Sequence, residues 1–152
     1  MLRRQFLRVA YRAAAAISSH LLTAKTALAA WPASLFAAGD FTSQFQRVHG
    51  EQAIRDSDAI RISLPEIAEN GAVVPITVSS DLSDIQRLYL WVEKNPTPLA
   101  AEIELDASLA VYLTARIKMA ESSHVTVIAR QGENWLRNRR WVKVMQGGCG
   151  TG

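Results

Sequence analysis

The sequence predicts an all-β protein, built as an antiparallel sandwich of about seven short strands. Between residues 59 and 145, apolar residues recur at every second position in one segment after another, which is the period of a strand with one buried face. Turn-forming residues separate these segments at regular spacing, and no helical pattern lies between them. Such spacing favours two packed antiparallel sheets over a parallel sheet with crossover helices.

A short amphipathic helix is predicted ahead of the strands. Phe41, Phe45 and Val48 recur at i, i+4 and i+7, which is the spacing of residues on one face of a helix. Thr42 is a candidate N-cap, since its hydroxyl can accept a free N–H of the first turn. Gly50 is the expected end, because glycine readily adopts the backbone conformation that terminates helices.

The predicted strands each run until a turn or a proline, over residues 60–64, 74–78, 88–92, 102–105, 109–119, 125–129 and 135–145. In the third of these, Tyr89 and Trp91 point away from Leu88 and Leu90, so both faces of this strand are expected to be covered. The side of Trp91 is a candidate partner surface. Seven short strands without interleaved helices indicate an immunoglobulin-like β-sandwich, here held by packing alone because the chain has one cysteine.

The first 29 residues carry the basic character of the chain. The formal net charge of +3 includes five cations in this segment and no acid; residues 30–152 then hold 12 basic and 14 acidic residues, a net charge of −2. Without a basic excess, the body of the protein does not have the composition of a nucleic-acid-binding domain. No apolar run approaches the ~20 residues that a membrane-spanning helix requires.

Residues 1–29 have the pattern of a twin-arginine signal peptide. Arg3 and Arg4 precede Gln5-Phe6-Leu7-Arg8, an alanine-rich stretch follows, and Ala27-Leu28-Ala29 is a small-x-small cleavage site. A cleavage site near Ala37-Ala38 is the second option. We expect export to the bacterial periplasm by the twin-arginine route. An amphipathic basic helix or a mitochondrial presequence are the other interpretations of this segment.

The single cysteine, Cys149, is the fourth residue from the end of the sequence and lies among Gly147, Gly148 and Gly150. Neighbours without side chains cannot bury a thiol, whereas structural cysteines are usually buried. Residues 146–152 are therefore predicted to form a mobile arm, with a reach of roughly 14 Å from Met145 to the cysteine. A single thiol in an exported protein indicates intermolecular pairing or a reactive group; an inert tail is the alternative.

Other candidate sites are weaker. The basic residues of the last predicted strand could increase the ionised fraction of the thiol, although alternation sends them to different faces; they are Arg137, Arg139, Arg140 and Lys143. His20, His49 and His124 lack the spacing of metal ligands. Trp91, Trp135 and Trp141 are expected in the core or at an interface. No nucleophile elbow, phosphate loop or C-x-x-C motif is present, so we predict no metal, no cofactor and no catalytic residues.

Four segments resemble the SoxY family, the sulfur-carrier subunits of the bacterial thiosulfate-oxidising (Sox) system. They are "SLPEIAENGAVVPITVSSD", "VEKNPTPLA", "ARIKMA" and the terminal "VKVMQGGCGTG", and the likeness runs from about Phe41 to the end of the chain. The ending Gly150-Thr151-Gly152 departs from the two glycines that usually close the family's sequences. The resemblance implies an immunoglobulin-like fold, with Cys149 as the point of covalent substrate attachment on an arm made slim by Gly147, Gly148 and Gly150.

The resemblance also implies partners, and a function that is not enzymatic. A SoxZ-like subunit would form a heterodimer with this chain, and a haem cytochrome would join thiosulfate to Cys149. A di-manganese hydrolase would then release sulfate, and in the full pathway a molybdenum sulfane dehydrogenase would oxidise the remaining sulfur. Residues 30–145 would be the carrier domain. The alternative from a different class is an exported immunoglobulin-like interaction module, tethered to a partner by a disulfide from its tail cysteine.

Overall fold

The computed structural model describes residues 33–145. The predicted signal peptide, its cleavage site at residues 27–29 and the start of the predicted carrier domain at residue 30 lie outside the described residues. The second candidate cleavage site, Ala37-Ala38, lies within them, just ahead of the first helix. Cys149 and the arm at 146–152 also lie outside the described residues. The sandwich and the strand from which the arm departs are described in full.

One helix and nine strands are assigned within residues 33–145. Their bounds are α1 Phe41–His49, β1 Ile54–Asp56, β2 Ile60–Ser63, β3 Ile67–Ala68, β4 Val74–Ser80, β5 Ile85–Val92, β6 Leu99–Glu104, β7 Val111–Ile117, β8 Ser123–Gln131 and β9 Asn134–Val144.

The strands form two sheets. The larger has the order β1-β9-β8-β5-β6, with β3 also paired to β9, and the smaller has the order β2-β4-β7. Neighbouring strands are antiparallel except for β1 and β3, which both run parallel to β9. The predicted all-β sandwich is confirmed. The two parallel pairs were not predicted, because strands of three and two residues are too short to show an alternation.

The core lies between the two sheets and follows the predicted alternation. Inward positions of β4, β5 and β8 are buried together with residues from β2, β7 and β9; fully buried members include Ile60, Val74, Val92, Val125 and Val142. Each such side chain removes apolar surface from water and contributes ~1.5–3 kcal/mol relative to an exposed position. The seven predicted strands correspond to β2 and β4–β9, with shifts at their ends.

The largest shift is at the start of β7. Leu109 was predicted to face the core, but it is 53% exposed, and the strand begins at Val111. Asp106 forms a turn instead: its carbonyl accepts the Leu109 N–H at 3.0 Å and its carboxylate accepts the Ser108 N–H at 2.9 Å. Side-chain acceptance of a nearby backbone N–H competes with strand pairing.

Helix α1 has the predicted extent but a different N-cap. Asp40, not Thr42, caps it: the Asp40 carboxylate accepts the Ser43 N–H at 2.9 Å, and this hydrogen bond lowers the pKa of Asp40. Gly50 ends the helix at φ 59° with its N–H donated to the Gln46 carbonyl, a left-handed conformation that glycine adopts without steric cost.

Helix α1 covers the outer face of the larger sheet at β5. The rings of Phe41 and Phe45 lie 5.7 and 5.4 Å from that of Trp91, and Trp91 is fully buried. Both faces of β5 are therefore covered, as predicted. The suggestion that the Trp91 side forms a partner surface is wrong, because α1 occupies it.

His49 ends α1 inside this aromatic layer. Its ring lies 4.8 Å from that of Tyr89 and 5.3 Å from that of Trp135, and its Nε2 accepts the Trp91 Nε1–H at 3.2 Å. Its Nδ1 has no hydrogen-bond partner within the described residues. Burial lowers the pKa of His49 to about 4, since the charged imidazolium would lose its hydration without gaining an acceptor.

This burial predicts that stability falls as the pH drops below 6.5. Between pH 6.5 and pH 4 the unfolded chain binds a proton on His49 that the folded chain does not bind, so the free energy of unfolding decreases through that window. From pH 7.5 to pH 5 the loss is about 2 kcal/mol. His49→Phe should remove this loss, whatever its absolute stability. Urea unfolding at both pH values measures it.

His124→Gln is the matched control, because His124 is partly exposed on β8. It should keep the acid-dependent loss seen in the parent chain. Equal losses in the parent chain and in His49→Phe would show that His49 is not responsible.

Candidate functional site at the root of the arm

Strand β9 is the last strand before the arm. Its C-terminal end is hydrogen-bonded along both edges. Ser123 pairs with Val142 on the β8 side. On the other side the Lys143 N–H donates to the Glu66 carbonyl and the Met145 N–H to the Ala68 carbonyl, both at 2.9 Å. The last described residue before the arm is therefore fixed by backbone hydrogen bonds. We call Val144 and Met145 the arm root.

Side-chain hydrogen bonds hold the arm root and join the loops beside it to each other. The Val144 N–H donates to Ser122 Oγ at 2.9 Å. Asn95, in the predicted proline-containing turn, donates through Nδ2 to the Lys118 carbonyl at 2.7 Å and accepts the Ala120 N–H at 2.9 Å. The side chain of one asparagine thus connects the 93–98 turn to the segment after β7, where the two do not pair as strands. These contacts make the end of the sandwich a fixed surface.

An open groove of about 500 Å³ lies at this end. It is lined by Gly71, Ala72, Asn95, Pro96, Thr97, Lys118, Met119 and Ala120. Gly71 connects it to the arm root, because a Cβ atom at this position would lie 2.8 Å from Val144 Cγ1 and would collide with the Met119 carbonyl oxygen. The groove therefore adjoins the point where the chain leaves β9.

The basic residues predicted to influence the thiol are not gathered at the arm root. Arg137 lies eight residues before Met145, roughly 26 Å along the strand. It donates from Nε to the Asp56 carboxylate at 2.7 Å, and this hydrogen bond lowers the pKa of Asp56. Arg139 and Arg140 are exposed further along β9. Only Lys143 is near the arm root, so the structure favours the interpretation of a solvated strand for the arginines.

An exposed apolar surface lies beside the arm root, and the sequence reasoning did not identify it. Ile67 is 54% exposed, Trp141 54% and Met145 48%, and Ile67 pairs in register with Lys143, between the other two. We call these three residues the arm-root surface. Trp141 had been assigned to core or interface, and its exposure supports an interface. Ile67 was missed because it belongs to the two-residue strand β3.

His49 is the last residue of α1, whereas His124 lies on β8 against Trp141, with ring centres 5.0 Å apart. Within residues 33–145, no group of three or more His, Cys, Asp or Glu side chains could hold a metal ion. The helix in this part of the chain is not long and apolar enough to cross a membrane.

Comparisons with known proteins agree on one family. A family model described as "SoxY: Sulfur oxidation protein SoxY" matches residues 45–149, a span that includes Cys149. The sulfur carrier protein SoxY from Chlorobium limicola f thiosulfatophilum has a similar solved structure, with a TM-score of 0.63 and 30% sequence identity over 68% of this chain and 94% of that chain. No curated protein matched the sequence.

The groove geometry predicts that Gly71→Ala destabilises the fold by ~1–3 kcal/mol, which is typical of overpacking. The Met119 carbonyl cannot retreat freely, because the Met119 N–H donates to the Gly71 carbonyl at 2.7 Å. Ala72→Ser, at the exposed neighbouring position, should change stability by less than about 0.5 kcal/mol. Urea denaturation of both variants measures the difference. An unchanged midpoint for Gly71→Ala would contradict the close packing of Gly71 against Met119.

Proposed function

This chain belongs to the SoxY family of sulfur oxidation proteins and has the role of a sulfur-oxidation carrier, and on that premise we propose a specific mechanism. We propose that the chain works in the periplasm and holds intermediates of thiosulfate oxidation covalently on Cys149. The observation that carries the proposal is the family match through Cys149. This residue is the chain's one cysteine and comes four residues after the fixed arm root.

In the proposed loading step, the Cys149 thiolate and thiosulfate form an S–S bond, which gives a cysteine S-thiosulfonate. Joining two sulfur nucleophiles releases two electrons, and a haem cytochrome enzyme is the proposed acceptor. Hydrolysis of the terminal S–S bond by a di-manganese enzyme then gives sulfate and leaves a persulfide on Cys149. In a full pathway, a molybdenum sulfane dehydrogenase would oxidise that sulfur before a second hydrolysis.

The geometry of the arm root supports this carrier mechanism. Hydrogen bonds from both β8 and β3 fix the end of β9, so the arm starts from a defined point on the sandwich. A reach of roughly 14 Å lets a thiol enter a recessed active site while the sandwich stays outside. In the proposal, Gly147, Gly148 and Gly150 keep the segment narrow and free of side-chain obstruction.

The SoxY family implies a SoxZ partner, and we propose that the two chains form a heterodimer. The arm-root surface is the candidate contact, since Trp141 and Ile67 are large, apolar and half exposed. Contiguous exposed apolar residues are characteristic of interaction sites. A partner at this surface would contact the sandwich where the arm begins. The chain would then supply the thiol, and the partner enzymes would supply every catalytic group.

Intact mass measurement tests the attachment site. The mature protein, purified from periplasm after exposure to thiosulfate, should carry additions of sulfur or thiosulfate mass that reduction removes. The additions should map to the peptide with Cys149 and be absent from Cys149→Ser. A thiol found only in a disulfide with another protein would instead support the tethered interaction module.

The narrowness of the arm can be tested separately. Gly148→Trp should lower the rate of loading by a purified haem cytochrome enzyme about tenfold or more, equivalent to ~1.4 kcal/mol in the barrier, because an indole next to the cysteine obstructs a narrow entrance. Gly148→Ala should be affected much less. The urea midpoint of all three proteins should agree, since position 148 comes after the last strand in the chain. Loading of Gly148→Trp at the parent rate would rule out a steric role for this glycine.

A further inference from the structure

Strand β7 is an edge strand whose outer side has no partner among the described residues. Its seven residues pair with β4, from Val111 opposite Ser80 to Ile117 opposite Val74, and the smaller sheet ends there. Alternate N–H and C=O groups along the other edge are therefore available. A row of unpaired backbone groups is a template for pairing with another chain.

Of the features that natural proteins use to block such pairing, the free edge of β7 has one charged residue, Arg116, on its outward face. It contains no proline or glycine, and its register with β4 shows no bulge. Its inward side chains are all apolar: Val111, Leu113, Ala115 and Ile117. Strand β6, the edge of the larger sheet, differs because it carries Glu102 and Glu104, and charged side chains discourage edge-to-edge association.

The core beside this edge is incompletely covered. Leu113 and Ala115 face inward but are only partly buried, whereas Val111 and Ile117 at the two ends of the strand are 4% and 6% exposed. On the outward face Tyr112 is 76% exposed. A strand added at this edge would cover the middle of β7, where the apolar residues remain accessible.

We propose that β7 pairs with β7 of a second copy of this chain, antiparallel about a two-fold axis at Thr114. The two smaller sheets would join into one continuous sheet of six strands. The register centred on Thr114 is the one in which all seven residues of both strands are paired. A two-fold interface uses the same patch on both chains, so the patch must be complementary to itself.

The sequence of β7 is self-complementary in this register. Leu113 opposes Ala115 of the second copy, a large inward residue against a small one, and Val111 opposes Ile117. On the outward face Tyr112 opposes Arg116, whose side chain forms no ion pair or hydrogen bond within residues 33–145. A guanidinium beside an aromatic ring is a favourable cation–π pair. No like charges face each other.

This arrangement keeps the two arms apart. Met119 and Val144 of the arm root both lie close to Gly71, and Met119 comes two residues after β7. In the antiparallel pair, the two copies of Met119 are ten residues apart along the strand direction, roughly 34 Å. Two arms with a reach of roughly 14 Å each do not span that distance. The proposed dimer is therefore independent of Cys149.

The test uses the mature chain with Cys149→Ser, which removes disulfide formation through the arm. Sedimentation velocity across the micromolar range should show a dimer. Thr114→Arg should give a monomer, because the two-fold axis would bring two guanidinium groups together; Thr114 is exposed, so the fold should be retained. Ser63→Arg lies at an exposed position on β2, on the opposite side of the smaller sheet from β7. It adds the same charge away from the β7 edge, so this variant should remain dimeric.

Engineered cysteines in the same background test the register. Thr114→Cys should form a disulfide-linked dimer on mild oxidation, since directly opposed residues have Cβ atoms ~4.5–5.5 Å apart. Tyr112→Cys should not, because its two copies would lie roughly 14 Å apart along the strands.

The proposal would be overturned by a monomeric Cys149→Ser chain, by a Thr114→Arg chain that still dimerises, or by equal cross-linking at positions 112 and 114. Association only with a different subunit would also overturn it and would assign the edge to that subunit. None of these measurements depends on sulfur loading. Failure of this proposal and failure of the proposed carrier function are thus separable.

Discussion

The arrangement of the molecule depends on the hydrogen bonding of β9 along both of its edges. Strand β8 pairs with it from Asn134 to Val142, while β1 and β3 pair with its two ends from the opposite side. A short C-terminal segment can present a thiol at a defined place only if its first residue does not move. The bonds from Lys143 and Met145 to the chain around β3 supply that fixed point, and the parallel strands are therefore part of the functional architecture.

Packing on the outer face of the larger sheet determines which surface is left for partners. Helix α1 covers the aromatic side of β5, and this layer includes a buried, neutral His49 whose Nδ1 has no partner within the described residues. Burying this nitrogen without a hydrogen bond destabilises the folded state, and the aromatic layer that covers the sheet must offset that loss. Beyond α1 the same face remains open near Trp141. Helix α1 thus covers one part of this face, and the part next to the arm root is available to a partner protein.

Sequence periodicity predicted those parts of the fold in which burial alternates along a long strand. The cores of β2 and β4–β9 were found because one face of each is apolar over several residues. Strands β1 and β3 were not, since their existence depends on pairing with residues of β9 about 80 positions away. Leu109 and Thr42 were misassigned because Asp106 and Asp40 form competing local hydrogen bonds. Cys149 could be identified because composition alone makes it exceptional, whereas the arm-root surface exists only through tertiary pairing.

The electrostatics of β9 indicate how a carrier thiol should behave. Arg137 is bonded to Asp56 at the opposite end of the strand from the arm root, and a charge at that distance is largely screened at physiological ionic strength. In the proposed function, Arg137 therefore does not activate the thiol. This suits a carrier that must be released by several enzymes in turn, because an activated thiolate would react outside their active sites. Activation then belongs to the enzyme that receives the arm.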